Sequence, residues 1–202
     1  MHDDSSVVVD HLCDQVTEED MTVACFYYDF ASREVQSPTN MLGSLLKQLL
    51  SGVGAIPVEI VKKFQGQKKA IGGRRLQLAD IVKMCAAVTS LQRTFICIDA
   101  LDECIPRNRL EVLGALGQIL RGSPNTRIFM TGRSHIRGVV ERELGEGATS
   151  VPIVSREDDI VTYLRARLGK DTTPDAMDRS LENDIIKSIP EEASEMCVLA
   201  WI

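Results

Sequence analysis

The spacing of apolar residues predicts alternating helices and strands from the start of the chain. An apolar stripe over residues 7–16 is typical of a helix, and the β-branched and aromatic run over residues 21–29 is typical of a strand. Ser37 and Pro38 then provide an N-cap and a proline at the first helical position, and leucines at helical spacing continue to Ser51. The first quarter of the chain is therefore predicted as helix, strand and helix.

Two later segments have the continuous apolar character of strands that are buried on both faces. Residues 94–99 end in Asp99, and residues 126–131 end in Thr131. Apolar residues at helical spacing predict helices over residues 76–91, 107–121, 134–144, 155–170, 174–189 and 191–202. A further short strand over residues 150–154 contains Pro152, which restricts it to an edge or an end of a sheet.

Strands that alternate with helices of this length indicate a parallel sheet with helices on both faces. We therefore predict an α/β fold. The 202 residues suit one domain with an appendage, and we place the core at residues 1–154 and a helical appendage at residues 155–202.

Composition and charge narrow the class of protein. Hydrophobic residues make up 44% and charged residues 26% of the chain, as in ordinary globular proteins. No stretch approaches the roughly 18 apolar residues of a membrane span. Residues 1–20 carry seven acids and no Lys or Arg, unlike a signal or transit peptide. With a net charge of −6, we expect a cytoplasmic protein that binds neither nucleic acid nor membranes.

The cysteines show no metal-binding or disulfide pattern. The six cysteines form no C-x-x-C pair, and the three histidines lie apart from them, so no zinc site is predicted. Cys25, Cys97 and Cys197 lie inside apolar runs, where we expect buried, reduced thiols.

Polar residues follow both buried strands at the point where chemistry is expected in a parallel sheet. A carboxylate at a strand tip, here Asp99, can hold the water shell of Mg²⁺, and an acid three or four residues later, Asp102 or Glu103, can orient an attacking water. Thr131 and Arg133 bring a hydroxyl and a guanidinium to the same edge, where an arginine can contact a terminal phosphate. A solvated acidic loop and a surface arginine explain the same residues equally simply.

Three segments in this order resemble the NACHT class of signal-transduction P-loop NTPases, and within it the nephrocystin-3-like N-terminal domain of fungal NLR-like proteins. Residues 95–104 resemble the Walker B motif of that family, residues 127–137 resemble its sensor 1 strand, and residues 26–50 resemble its second strand and the following helix. The resemblance covers roughly residues 5–170. It implies a P-loop NTPase core of the ASCE/STAND type and a nucleotide-dependent signalling switch.

The resemblance also implies roles for the polar residues at the strand ends. Asp99 would bind Mg²⁺ through water, with Mg-ATP or Mg-GTP as the cofactor. Asp102 and Glu103 would be the acidic pair that positions the hydrolytic water. Thr131 and Arg133 would contact the nucleotide, with Arg133 as sensor 1.

One motif of that family does not occur in the sequence. The phosphate-binding loop G-x-x-x-x-G-K-[ST] should precede the helix that begins near Ser5, and we expect the chain to start after it. In the family's strand order 5-1-4-3-2, the missing first strand would leave a gap between the strands at 126–131 and 150–154. We therefore expect weak or no nucleotide binding and no hydrolysis by this chain alone, and whether it is an enzyme stays open.

The sequence is compatible with two functional interpretations. The chain is either a truncated module of a nucleotide-driven switch or a non-enzymatic interaction module that docks to full-length NACHT relatives, and both imply protein partners or self-association. A receiver-like phospho-acceptor domain built on Asp99 and Thr131 is disfavoured, because residues 151–154 offer no lysine. A nuclease is disfavoured because Asp99 and Asp102 do not form a metal-sharing D-x-D pair.

Overall fold

The fold consists of helices alternating with the strands of one sheet. The computed structural model describes residues 3–16, 21–54, 56, 58, 61–62, 76–145, 148–154, 156–169, 178–193 and 197–201. The helices and strands follow in the order α1 (Asp3–Val16), β1 (Met21–Tyr27), α2 (Pro38–Ser51), α3 (Leu78–Thr89), β2 (Arg93–Asp99), α4 (Pro106–Gly122), β3 (Thr126–Arg133), α5 (Arg137–Leu144), β4 (Ser150–Val154), α6 (Glu157–Leu168), α7 (Arg179–Ala193) and β5 (Cys197–Trp201). Short 3₁₀ turns lie at Phe30–Ser32, Leu101–Glu103 and Ser134–Ile136.

The sheet has the strand order β1-β2-β3-β5-β4. Strands β1, β2 and β3 are parallel, with Cys25 opposite Cys97 and Ile96 opposite Ile128. The predicted α/β class is thus confirmed. Strand β4, which contains Pro152, lies at the sheet edge, as the proline predicted.

Two predictions are wrong at the sheet position between β3 and β4. Residues 191–202 were predicted as a helix, and the sheet was predicted to have a gap beside β3. Instead α7 ends at Ala193, and β5 pairs antiparallel with β3 on one side and with β4 on the other. The physical reason is that two neighbouring strands would otherwise leave their N–H and C=O groups unpaired, so sheet pairing overrides the local helical pattern of the apolar residues.

The two faces of the sheet pack against different helices. On one face, Ala24, Ile96, Ile98, Ile128 and Met130 form the main hydrophobic core with α2, α3 and α4. The other face contacts α1, which packs on β1 and β2. Helices on both faces are what the alternating pattern predicted.

Helix α1 and the cysteines differ in detail from the sequence prediction. Among the described side chains of α1, residues 7–16, Val9 is buried, whereas Val7 of the predicted stripe is 64% exposed. The described cysteines are free thiols, and Cys97 is buried as predicted. Cys25 is only half-buried, which the prediction missed, and the Cys197 side chain lies outside the described residues.

Helix α2 forms for the predicted reasons and also closes the free edge of the sheet. The Ser37 hydroxyl caps it by accepting the Asn40 N–H at 3.3 Å, and Pro38 occupies the first turn. The Gln48 side chain accepts the Cys25 N–H and donates to the Cys25 carbonyl, both at 2.8 Å. An amide side chain therefore takes the place of a neighbouring strand on the outer edge of β1.

Helices α6 and α7 lie within the predicted appendage, residues 155–202, and pack mainly against each other. Acids crowd the first turn of α6 and bases its last turn, as predicted. The predicted N-cap, Ser155, lies outside the described residues. The segment predicted as a helix over 134–144 is divided into a 3₁₀ turn and the shorter α5. Across the described ranges, no helix is long and apolar enough to cross a membrane.

Candidate functional site

The ends of β2 and β3 meet through Asp99 and Thr131. The Thr131 hydroxyl donates to Asp99 Oδ1 at 2.5 Å and accepts the Ala100 N–H at 3.0 Å. Thr131 is buried, whereas Asp99 is only partly covered. The hydroxyl therefore fixes the carboxylate and the start of the following turn at once.

The turn after β2 contains an unusual backbone conformation at Ala100. This residue has φ 52° and ψ 46°, in the left-handed region that costs a residue with a Cβ roughly 1–2 kcal/mol. The 3₁₀ turn Leu101–Glu103 follows, with Leu101 fully buried and the Glu103 N–H bonded to the Ala100 carbonyl at 2.9 Å. Strain of this kind persists where surrounding contacts fix it, and such positions concentrate at functional sites.

A buried arginine supplies many of these contacts. Arg109, on α4, is only 8% exposed. Its Nε donates to the Leu101 carbonyl at 3.2 Å, and its Nη2 donates to the carbonyls of Asp102 at 2.7 Å and Cys104 at 2.8 Å. Because the guanidinium is a rigid fork of donors, it holds three carbonyls of one turn in fixed positions. We did not predict this role. Its signal was available, since Arg109 precedes the buried residues Leu113 and Leu116 at helical spacing.

Asp102 joins the turn to the end of β3. Its Oδ1 accepts the Arg133 N–H at 3.2 Å, and its Oδ2 lies 3.4 Å from Arg133 Nε. The Asp102 side chain is 9% exposed, and that of Arg133 is 56% exposed. Gly132 leaves room for Ile136 beside this pair, because a Cβ at position 132 would lie 2.7 Å from Ile136 Cδ1. Both carboxylate oxygens of Asp102 are thus engaged within the protein.

Glu103 joins the same turn to the loop after β1. Its Oε2 accepts the Phe30 N–H at 2.8 Å. That loop is itself ordered by Asp29, whose carboxylate accepts the Ala31 N–H at 3.0 Å and the Ser32 hydroxyl at 2.8 Å. Glu103 therefore connects two strand-end loops that are far apart in sequence.

The structure brings all five predicted residues to one edge of the sheet, namely Asp99, Asp102, Glu103, Thr131 and Arg133. Asp102 and Glu103 hold loops together through backbone N–H groups, and Asp99 is the acid that ends a strand. Within the described residues, no group of three or more His, Cys, Asp or Glu side chains is placed to hold a metal. A single carboxylate such as that of Asp99 can bind Mg²⁺ only where phosphates and waters supply the remaining ligands.

The comparison with protein families bears directly on this edge of the sheet. The family model described as nephrocystin 3, N-terminal, matches residues 5–133, which include Asp99, the turn and the end of β3. This chain belongs to the nephrocystin 3 N-terminal family. The resemblance that was inferred from residues 26–50, 95–104 and 127–137 is thus confirmed.

Comparisons with individual proteins add little to this assignment. A search of curated proteins finds no significant match. Among solved structures, a Walker-type ATPase of Pyrococcus abyssi matches with 12% sequence identity and a TM-score of 0.41. The alignment covers 96% of this chain and 65% of the length of that ATPase.

Proposed function

We propose that this chain is the core of a NACHT-type, nucleotide-dependent signalling switch and that, as 202 residues, it does not hydrolyse ATP or GTP by itself. Family membership supports a NACHT-like domain. The observation that carries the proposal is that β5 occupies the sheet position beside β3, where the family's phosphate-loop strand is expected. The proposal places the protein in the cytoplasm, with protein partners rather than nucleic acid or membranes.

The contacts of the charged residues at the strand ends support the proposal that nucleotide binds weakly at most. Phosphate sites need backbone N–H groups or cations that are free to face the phosphates. Arg133 pairs with Asp102, and Arg109 donates to three carbonyls of the turn. The sequence contains no G-x-x-x-x-G-K-[ST] loop. If phosphates were bound, Asp99 would hold Mg²⁺ through water, and the ion would neutralise part of their charge.

Calorimetric titration with Mg-ATP and with Mg-GTP tests this proposal, together with an assay of phosphate release. We expect no binding in the micromolar range and no release above buffer. Asp99→Asn is the matched control variant, because it preserves the Thr131 contact while removing the charge. Micromolar affinity in the original chain that is lost in Asp99→Asn would overturn the proposal.

A second candidate is an interaction module that docks to full-length members of the family. The observation that favours it is the appendage, where α6 has no buried residue and Tyr163 is 61% exposed. Leu181 and Ile189 of α7 are exposed as well. Size-exclusion chromatography with a full-length relative is the test. We expect co-elution that Tyr163→Glu abolishes, and separate elution of the unaltered chain would exclude this candidate.

A further inference from the structure

Two cysteines lie side by side on the sheet face that contacts α1. Cys25 of β1 and Cys97 of β2 are register partners in parallel strands, so their side chains leave the sheet on the same face. Neighbouring strands lie about 4.8 Å apart, within the Cα separation of about 4.4–6.8 Å that a disulfide bridges. Cys97 is 3% exposed, and Cys25 is half-buried and more accessible.

Cys25 differs from the other described cysteines in the acidity of its thiol. The contact with Cys97 lowers the pKa of the Cys25 thiol. Burial raises the pKa of Cys13 and Cys104, and it raises the pKa of Cys85 to about 12. Thiolates are the reactive form of cysteine, and Cys25 is also the more exposed of the two residues, so Cys25 is the nucleophile that a dissolved peroxide reaches.

The surroundings hold Cys25 in place while leaving it partly exposed. Gln48 bonds the backbone of Cys25 on the outer edge of β1. A tight depression borders Cys97, and its wall includes Val9, Tyr27 and Phe129.

Several ionisable groups surround the pair. Tyr27 of β1 and Asp99 of β2 lie two residues beyond the cysteines on the same face. Cys13 of α1 lies within electrostatic range of both thiols, and Asp10 and Asp14 lie close to Cys13.

We propose that Cys25 and Cys97 form a reversible disulfide when the protein meets a hydroperoxide such as hydrogen peroxide. The Cys25 thiolate attacks one peroxide oxygen, so that an S–O bond forms, the O–O bond breaks, and the released hydroxide takes up a proton as water. The Cys97 sulfur then attacks the Cys25 sulfenic acid, forming the S–S bond and releasing a second water that carries the Cys97 proton. Two thiols are oxidised by two electrons in total, and one peroxide is reduced to two waters.

The bridge would tie the edge strand β1 to β2 two residues before Tyr27 and Asp99, and hence beside the candidate site. Dithiothreitol restores both thiols by exchange through a mixed disulfide. This inference does not depend on nucleotide binding, because neither thiol belongs to the predicted nucleotide contacts.

Mass spectrometry of the complete chain tests the proposal. The protein is treated with hydrogen peroxide, alkylated in denaturant and digested. We expect a peptide pair cross-linked through Cys25 and Cys97, with the loss of two alkylatable thiols and their recovery after dithiothreitol. A cross-link of Cys25 to Cys13, or all thiols still alkylated after oxidation, would overturn the proposal.

Variants separate the roles of the two thiols. Cys97→Ser removes the resolving thiol, so dimedone should trap a sulfenic acid at Cys25. Cys25→Ser removes the nucleophile, so Cys97 should stay reduced. Cys85→Ser is the matched control, because Cys85 lies in the core on the other side of the sheet, and its cross-link yield should equal that of the original chain. Equal oxidation of Cys97 in Cys25→Ser would exclude the proposed order of events.

Discussion

The Nη2 atom of Arg109 lies 2.7 Å from the carbonyl oxygen of Asp102, so a buried cation on α4 holds the acidic turn at the end of β2. The same guanidinium also bonds the carbonyls of Leu101 and Cys104. Within this turn, the Asp102 carboxylate accepts the Arg133 N–H and the Glu103 carboxylate accepts the Phe30 N–H. The site is therefore supported by a buried residue that bonds the backbone of the turn and not its acidic side chains.

Replacement of Arg109 by leucine should destabilise the protein by about 2–3 kcal/mol. The variant leaves three carbonyls of one turn without their donor, and an unpaired buried polar group costs roughly 1–3 kcal/mol. Urea unfolding followed by circular dichroism measures the difference. Arg107→Leu on the same helix is the control, because Arg107 is exposed and should shift stability by no more than about 0.5 kcal/mol. Equal losses in both variants would contradict this role of Arg109.

Gly132→Ala should destabilise the protein by about 1–3 kcal/mol, the usual cost of overpacking a core. The added Cβ would lie 2.7 Å from Ile136 Cδ1, on a side chain that is fully buried. Gly138→Ala is the control, because a Cβ there meets nothing within 4 Å and α5 should gain roughly 1 kcal/mol of helix stability. The double variant Gly132→Ala, Ile136→Val should recover part of the loss in thermal unfolding, and a strictly additive result would refute the proposed clash.

Thr131→Val should cost about 1–3 kcal/mol, since it leaves the Ala100 N–H without its acceptor at a strained position. The shape of the side chain is nearly unchanged, so the loss reports the hydroxyl. Thr131→Ser keeps that hydroxyl and should retain most of the stability. Hydrogen exchange at the Ala100 amide provides a local measurement, with faster exchange expected in the valine variant only.

Gln48→Leu should open the outer edge of β1 and lower stability by about 1–2 kcal/mol. The amide pairs with both backbone groups of Cys25, and an uncovered strand edge favours pairing with another chain. Analytical ultracentrifugation should show association that increases with concentration. Gln118→Leu, on an exposed position of α4, changes the same residue type and should stay like the original chain. If both variants associate equally, added surface hydrophobicity is the cause.

Ala200→Pro should release β4 from the sheet, because proline cannot donate to a ladder. Ala200 is the register partner of Thr131 on β3 and of Val151 on β4. Amide exchange at residues 151–154 should become faster, while exchange in β1 and β2 stays slow. Ala200→Val keeps the N–H and is the control. Unchanged protection of β4 in the proline variant would show that β5 does not hold it.

The sequence by itself determined two things: the alternation of helices and strands from α1 to β4, and the family to which the chain belongs. Strands β2 and β3 are continuous apolar runs, as expected of central strands in a parallel sheet, and Ser37 with Pro38 marks the start of α2 through a local hydrogen bond. These features depend on neighbouring residues, so a linear pattern contains them. The sequence also predicted that one edge of the sheet carries Asp99, Asp102, Glu103, Thr131 and Arg133, because the ends of parallel strands meet at one edge.

Only the tertiary structure decided that β5 forms, which groups the acidic side chains contact, and that two cysteines lie side by side. Residues 197–201 form a strand because β3 and β4 offer two unpaired ladders, a requirement that lies outside the segment itself. Asp102 and Glu103 bind N–H groups of distant loops, and Arg109 is buried because its three acceptors converge there. Cys25 meets Cys97 through strand register, which is set by the whole sheet.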